Sequence, residues 1–274
     1  MRFAGEAFSV IVPSKESDYM SFLIDRSDPG RQFIEDRMTA LNYLDKIALK
    51  LEGGTHEYFR WIKTEPSYPA FEDFTFGFGN QIFPVLVLRA NEQGRLLNVP
   101  PRIEALRRES EANSLIPCVF PILDRTGKPF FSGRWNLINP FTGKQVDPVA
   151  ESSDDLVEIS DWELRNWAVQ IVYDSLEKDG LEKLSYCDAP GIDPQIWFRD
   201  KAGHECWLEV LYAPYPADIQ SLTFSYSEWP EQVLSHEGYV ARVGFADSEG
   251  MPVLCRTRGA FVNFRGIEHI YSPA

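Results

Sequence analysis

The sequence has no apolar run long enough to cross a membrane. Its longest apolar segment, residues 82–88, is interrupted by Pro84, whereas a membrane-spanning helix needs about 20 apolar residues. The N-terminal residues also contain no apolar stretch of the length that signal peptides have. We therefore expect no membrane-spanning helix and no membrane partner.

Cysteine and histidine are both scarce, with four of each in 274 residues. The cysteines lie far apart, at Cys118, Cys187, Cys206 and Cys255. Their spacing matches neither a disulfide framework nor a zinc site, which needs a clustered set of thiolate and imidazole ligands. The pattern predicts reduced thiols in a cytoplasmic protein.

Positive charge is also in short supply. Lys and Arg number 27 against 41 Asp and Glu, which gives a net charge of −14. Binding of duplex DNA depends largely on cations that displace counterions from phosphates, so this balance makes duplex nucleic acid an unfavourable partner. A strongly acidic surface indicates solubility or a basic protein partner, and it leaves the oligomeric state open.

Common motifs of nucleotide binding and nucleophilic catalysis are missing. The segment Gly77-Phe78-Gly79 lacks a third glycine, and Thr126-Gly127-Lys128 lacks both the earlier glycine and the following Ser or Thr of a phosphate-binding loop. No G-x-S-x-G sequence occurs. These short glycine-containing segments are typical of hairpin turns.

What the chain does have is the composition of a well-packed globular protein. Apolar residues make up 44% and aromatic residues 14%, and 274 residues are enough for one large domain or two ordinary ones. Residues 148–155 are acidic and poor in apolar side chains, which favours an exposed linker. We therefore predict an N-terminal α/β domain of unknown role over residues 1–150 and a C-terminal α/β domain over residues 151–274.

The first half alternates helical and extended patterns. A helix is predicted from Asp28, as N-cap, to Gly53, and another over residues 101–113. Strands are predicted over residues 7–12, 56–63, 74–78, 81–89 and 115–123. The helix between the last two of these strands favours a parallel crossover unit.

The second half begins with a strong helix signal. Ser160 and Glu163 fit a capping box, in which the Ser hydroxyl and the Glu carboxylate each accept a backbone N–H of the other residue. Gly180 is suited to end this helix in a left-handed conformation. Strands follow over residues 192–199, 205–212, 238–247 and 253–256, and the last strand and a terminal extension over 260–264 and 267–271. The predicted fold is α/β, with two lobes of mixed sheet flanked by helices and a largely antiparallel sheet in the C-terminal lobe.

Three acidic residues of this half have a suggestive arrangement. Glu163 lies on the helix, Asp193 begins a strand and Glu209 lies on the next strand. Over residues 156–213 this order resembles the restriction-endonuclease core, the PD-(D/E)xK family. The resemblance implies that Asp193 and Glu209 bind a divalent metal such as Mg²⁺, and that a lysine two residues after the second acid assists the attacking water.

The sequence departs from the family pattern at two positions. Leu211 occupies the position of the lysine, and the proline follows Asp193, as Pro194, instead of preceding it. Ordinary structural roles also account for the acids: Glu163 as a helix cap, Asp193 as a turn residue and Glu209 as an outward strand position. The C-terminal domain is therefore interpreted as a degenerate endonuclease-like core.

Two hypotheses about function remain. The first is a non-catalytic binding or regulatory protein whose acidic surface meets a basic partner, such as an immunity protein or antitoxin against a nuclease, with no cofactor. The alternative is a metal-dependent phosphodiesterase or nuclease that uses Glu163, Asp193 and Glu209 with Mg²⁺. Convergence of the three carboxylates, with a Lys or Arg beside them, distinguishes the second hypothesis from the first.

Overall fold

The protein has a mixed α/β fold that divides into two compact units, with the change of unit between Asp155 and Leu156. The computed structural model describes residues 29–64, 74–131, 133–189 and 191–273. The predicted strand at residues 7–12 and the predicted cap Asp28 lie outside these ranges. Within them, no helix combines the length and the apolar character that a membrane span requires.

The first unit contains a four-stranded mixed sheet. Its elements are α1 (Pro29–Leu51), β1 (Phe59–Lys63), β2 (Phe74–Phe78), β3 (Gln81–Ala90), α2 (Arg102–Asn113), β4 (Cys118–Leu123) and α3 (Pro148–Glu151). The strand order is β1-β2-β3-β4; β1 to β3 are antiparallel and β4 runs parallel to β3. The predicted crossover from β3 through α2 to β4 is therefore confirmed.

Helix α1 covers an aromatic face of this sheet. Ala40, Leu44 and Ala48 recur every fourth residue, so they form one stripe that is fully buried. The stripe belongs to the same core as Phe76 and Trp135, whose rings stack with centroids 6.3 Å apart.

Residues 148–155, the acidic stretch that we interpreted as an exposed linker, form hydrogen bonds within the first unit. Asp147 caps α3 by accepting the N–H of Val149. The buried Asn80, in the turn between β2 and β3, donates to the hydroxyl of Ser153 and the carbonyl of Asp155. Short polar side chains that bond to nearby backbone form ordered structure without apolar contacts, which composition does not reveal.

The second unit contains a five-stranded sheet with one parallel pair. Its elements are α4 (Asp161–Lys178), β5 (Glu182–Tyr186), β6 (Ile196–Arg199), β7 (Glu205–Pro214), a 3₁₀ turn (Ile219–Ser221), α5 (Glu231–Leu234), β8 (Glu237–Asp247) and β9 (Ala260–Tyr271). The strand order is β5-β6-β7-β8-β9, and only β7 and β8 are parallel neighbours among these strands. The expectation of a largely antiparallel sheet agrees with this order.

The predicted helix start and end are confirmed. Ser160 accepts from the N–H of Glu163, the Glu163 carboxylate accepts from the N–H of Ser160, and Gly180 follows the helix with φ +73°. The apolar face of α4, with Ala168, Val172 and Leu176, packs on the sheet.

Two expectations for the second sheet were wrong, and one strand was not predicted. β5 was not predicted, because it is a half-exposed edge strand of mixed composition. Residues 253–256 contribute only an isolated bridge, between Cys255 and Glu158. Residues 260–271 form one continuous strand with a bulge rather than a strand and an extension.

Both units share one order of elements, although the sequence shows no repeat. In each, a helix is followed by three antiparallel strands, a crossover and a fourth strand parallel to the third. The third strands differ in chemistry. β3 contains no acidic residue, whereas β7 contains Glu209 at its centre.

Candidate functional site

Helix α4 directs its N-terminal charged residues to different sides. Asp161 and Arg165 are one turn apart and share a face, whereas Glu163, two residues on, lies roughly 200° around the axis from Asp161. Asp161 accepts from the hydroxyl of Tyr212 at 3.0 Å, and Arg165 donates to Asp193. Glu163 instead contacts Arg256.

Glu163 is held in a buried ion pair. Arg256 Nε lies 3.0 Å from Glu163 Oε1, and Nη2 lies 2.9 Å from Oε2. Both side chains are only 1% exposed. The structure thus gives Glu163 the helix-capping role and an ion-pair partner, and it does not bring Glu163 to Asp193 and Glu209.

Asp193 and Glu209 do lie close together, and the amide of Gln195 joins them. Gln195 Nε2 donates to Asp193 Oδ1 at 2.8 Å and to Glu209 Oε1 at 3.0 Å. The two carboxylates are therefore only a few ångströms apart, with one hydrogen of the amide directed to each.

Strand pairing produces this arrangement. Ile196 of β6 pairs with Leu208 of β7, so the residue before Ile196 lies beside Glu209. Gln195 Oε1 also accepts the backbone N–H of Val210 at 2.6 Å. This bond fixes the orientation of the amide, because exchanging its oxygen and nitrogen would lose the backbone donor.

Glu209 lies in an unfavourable electrostatic environment. The residue is only 5% exposed, and its Oε2 has no hydrogen-bond partner among the described atoms. Burial, and then the nearby negative charge of Asp193, raise the pKa of Glu209 to about 7, although Gln195 and Arg165 oppose the shift. Near neutral pH this carboxyl group is poised between its protonated and ionised forms.

Arg165 supplies the positive charge of the cluster. Its Nη2 donates to Asp193 Oδ1 and to the carbonyl of Ile192, both at 3.0 Å. Its Nε is buried and has no hydrogen-bond partner among the described atoms. A cation thus lies beside the acidic pair, but it comes from the helix and not from the position of Leu211.

Tyr212 completes the cluster on the side of α4. Its hydroxyl donates to Asp161 Oδ2. Burial, followed by the charge of Asp161, raises the pKa of Tyr212 to about 12. The phenol therefore remains protonated at physiological pH and acts as a hydrogen-bond donor.

The donor set does not fit Mg²⁺. A hard cation of this kind takes about six oxygen ligands, and no described part of the chain places three His, Cys, Asp or Glu residues to hold a metal. Here an amide nitrogen lies between Asp193 and Glu209, and the guanidinium of Arg165 occupies another side of Asp193. Glu209 Oε2 is buried and has no hydrogen-bond partner among the described atoms.

Burial disfavours the reactive thiolate form of two cysteines. All four cysteines are buried and none forms a disulfide. Burial raises the pKa of Cys206 to about 11 and that of Cys118 well above its ordinary value. Both remain thiols at neutral pH, which makes them poor nucleophiles.

Sequence reasoning located two residues of the cluster and missed Arg165, Gln195 and Tyr212. Arg165 was detectable in part, because it follows Asp161 by one helical turn. Gln195 had no such signal, since its role depends on the register between β6 and β7.

Comparison with known proteins gives one match. A family model described as a domain of unknown function, DUF8840, matches residues 162–270, which lie in the second unit. No curated protein and no solved structure matches the chain.

Proposed function

We propose that this protein is a non-catalytic binding or regulatory protein whose acidic second unit engages a basic partner. The main observation in support of the proposal is the ion pair between Glu163 and Arg256, because it separates Glu163 from Asp193 and Glu209. A metal-dependent site built from these three acids would require them to converge.

The distribution of charge supports the same proposal. Residues 156–274 contain 19 Asp and Glu but only 9 Lys and Arg. Several of these cations are committed to acids of the same unit, as in the pairs formed by Arg165, Arg199, Arg242 and Arg256. The second unit therefore offers a basic partner a surface with excess negative charge.

The second unit is, in this proposal, a degenerate PD-(D/E)xK core. Support comes from the order of helix α4, Asp193 before β6 and Glu209 on β7, which follows the order that the resemblance implies. Leu211 at the lysine position and the amide of Gln195 between the acids account for a core without catalysis.

The alternative, a metal-dependent phosphodiesterase, has one specific observation in its favour. Glu209 Oε2 is buried without a described partner, and Asp193 and the cation Arg165 are close by. Buried polar atoms left without partners are uncommon and often mark functional sites.

Cleavage assays separate the two functions. We expect no Mg²⁺- or Mn²⁺-dependent cleavage of single- or double-stranded DNA or RNA, and no saturable metal binding by isothermal titration calorimetry. Metal-dependent cleavage that disappears in both Asp193→Ala and Glu209→Ala would overturn the proposed function. Asp174→Ala is a matched control, because it removes an exposed acid of α4 away from the cluster.

The binding function has its own measurement. Immobilised protein should retain a basic probe, such as polylysine, at low ionic strength and release it as salt screens the charges. Retention that does not depend on salt would contradict an electrostatic partner.

A further inference from the structure

The last strand of the second sheet has an outer edge with no described partner. β9 (Ala260–Tyr271) ends the strand order β5-β6-β7-β8-β9, and no described strand or isolated bridge pairs with its outer side. Such an edge exposes alternate backbone N–H and C=O groups, which another strand can pair with.

A bulge divides this edge into two parts. Val243 pairs with Phe264 and Ala241 pairs with Ile267, so Arg265 and Gly266 together oppose one residue of β8. Bulges and charged side chains protect an edge from pairing. The part before the bulge, Ala260–Phe264, is regular and has no charged side chain; we call it the edge segment.

An exposed apolar pocket of about 290 Å³ adjoins the edge segment. Small residues contribute to its lining, namely Ala213, Gly244 and Ala246. The aromatic side chains of Tyr215 and Phe261 also line it and are 69% and 62% exposed. Because Phe261 belongs to the edge segment as well, an added strand could pair with the backbone and direct a side chain into the pocket, as in recognition by strand addition.

The charge at the pocket favours a cationic occupant. None of the residues that line the pocket is Lys or Arg, and residues 156–274 contain 19 Asp and Glu against 9 Lys and Arg. Asp218 itself lines the pocket. A second copy of the chain would bring the same excess of negative charge, whereas a cationic segment complements it.

We propose that the edge segment and its pocket dock an extended cationic segment of a partner protein, which adds a strand beside β9 and places one apolar side chain in the pocket. This inference rests on the binding function proposed above and names the surface that performs it. The backbone supplies affinity, and the pocket with the carboxylate of Asp218 supplies selectivity.

Labelled octapeptides test this surface in the intact protein. The probes alternate lysine with valine, leucine or phenylalanine; matched peptides replace lysine with glutamate, or carry alternate N-methyl groups that prevent strand pairing. Fluorescence anisotropy should show that the cationic peptides bind and that the peptides of both control series do not. Hydrogen exchange at residues 260–264 should slow when a cationic peptide is bound.

Substitutions place the binding on this surface. Loss of the aromatic ring in Phe261→Ala should weaken peptide binding by about tenfold. Ala246→Leu, which fills the pocket, should weaken peptide binding by a similar factor. Phe131→Ala is the matched control, because Phe131 is a comparably exposed phenylalanine of the first unit, and it should leave the affinity unchanged.

Each contrary outcome has a distinct meaning. Absence of peptide binding, or binding that N-methylation and Phe261→Ala do not change, overturns the docking surface; if polylysine is still retained in a salt-dependent way, the binding function itself stands. A dimer in sedimentation experiments that dissociates in Phe261→Ala assigns the edge to a second copy and also overturns the inference. Metal-dependent cleavage, by contrast, overturns the proposed function.

Discussion

Arg256 and Glu163 form a bidentate ion pair across 93 residues of sequence, with N–O distances of 3.0 and 2.9 Å. The carboxylate of Glu163 also accepts the backbone N–H of Ser160 at the start of α4. One side chain thus caps the helix and fastens the loop between β8 and β9 to it. This double role is a structural reason for a buried acid at this position.

Removal of Arg256 should strongly destabilise the second unit. Arg256→Met leaves the buried carboxylate of Glu163 without its counter-ion, and breaking a buried pair in this way costs about 3–5 kcal/mol. Denaturant unfolding measures the loss. The double variant with Glu163→Leu should recover much of it, because the uncompensated charge is then removed; a double variant as unstable as the single one would contradict this account.

The helix cap makes a smaller contribution. Ser160→Ala should lower the free energy of unfolding by about 1 kcal/mol, since the hydroxyl no longer accepts the N–H of Glu163. Ser185→Ala, at an exposed strand position, should change it by less than about 0.5 kcal/mol. Equal effects of the two substitutions would show that the hydroxyl of Ser160 does not support the helix.

Glu209 should make stability depend on pH between about 4.5 and 7. Its pKa is raised from 4.5 to about 7 in the folded protein, so the unfolded chain ionises first as the pH rises. The stabilising contribution of the protonated group is complete below pH 4.5 and is lost as the pH rises through about 7. The loss amounts to about 3 kcal/mol at 1.36 kcal/mol per pKa unit.

Glu209→Gln isolates this effect. The variant cannot ionise at position 209, so its unfolding free energy should decline less between pH 4.5 and 7 than that of the unmodified protein. Glu205→Gln, at an exposed position on the same strand, is the control, and its unfolding free energy should depend on pH as in the unmodified protein. An unaltered slope in Glu209→Gln would exclude Glu209 as its source.

A glycine of β8 is required by the indole of Trp207. A Cβ atom at Gly238 would lie 2.1 Å from the Trp207 ring, whereas one at Gly244, in the same strand, would lie 3.1 Å from a methyl group of Ile219. Gly238→Ala should therefore cost at least about 3 kcal/mol, the upper end for overpacking, and clearly more than Gly244→Ala. Thermal unfolding of the two variants compares them, and similar melting temperatures would contradict the steric argument.

Local signals in the sequence predicted local structure well. The capping box of α4 and the glycine after it involve residues a few positions apart, so their geometry follows from the helix itself. The crossover from β3 to β4 was also predictable, because hydrophobic patterning distinguishes a buried strand from a polar helix. β5 was missed because an edge strand needs no apolar alternation.

The candidate site depended on contacts that no local pattern encodes. Glu163, Asp193 and Glu209 were candidates for one site. Glu163 instead pairs with Arg256, which lies in a loop 93 residues further along the chain. The amide between the other two acids depends on strand register. Pairing of this kind is decided by the packing of the whole sheet, which is why the sequence named three candidate acids but did not tell which of them are neighbours.

The start of the second unit also sets where a fragment of this protein can be cut. The segment matched by the family model begins at residue 162, but the backbone of Ile159 donates to Leu254 and the N–H of Arg256 donates to Val157. A fragment beginning at residue 162 would lose these bonds and the hydroxyl of Ser160, and it would expose the end of α4. An expression fragment for the matched region should therefore begin at Leu156 and extend beyond residue 270, so that it retains Tyr271 and its bond to the carbonyl of Leu234.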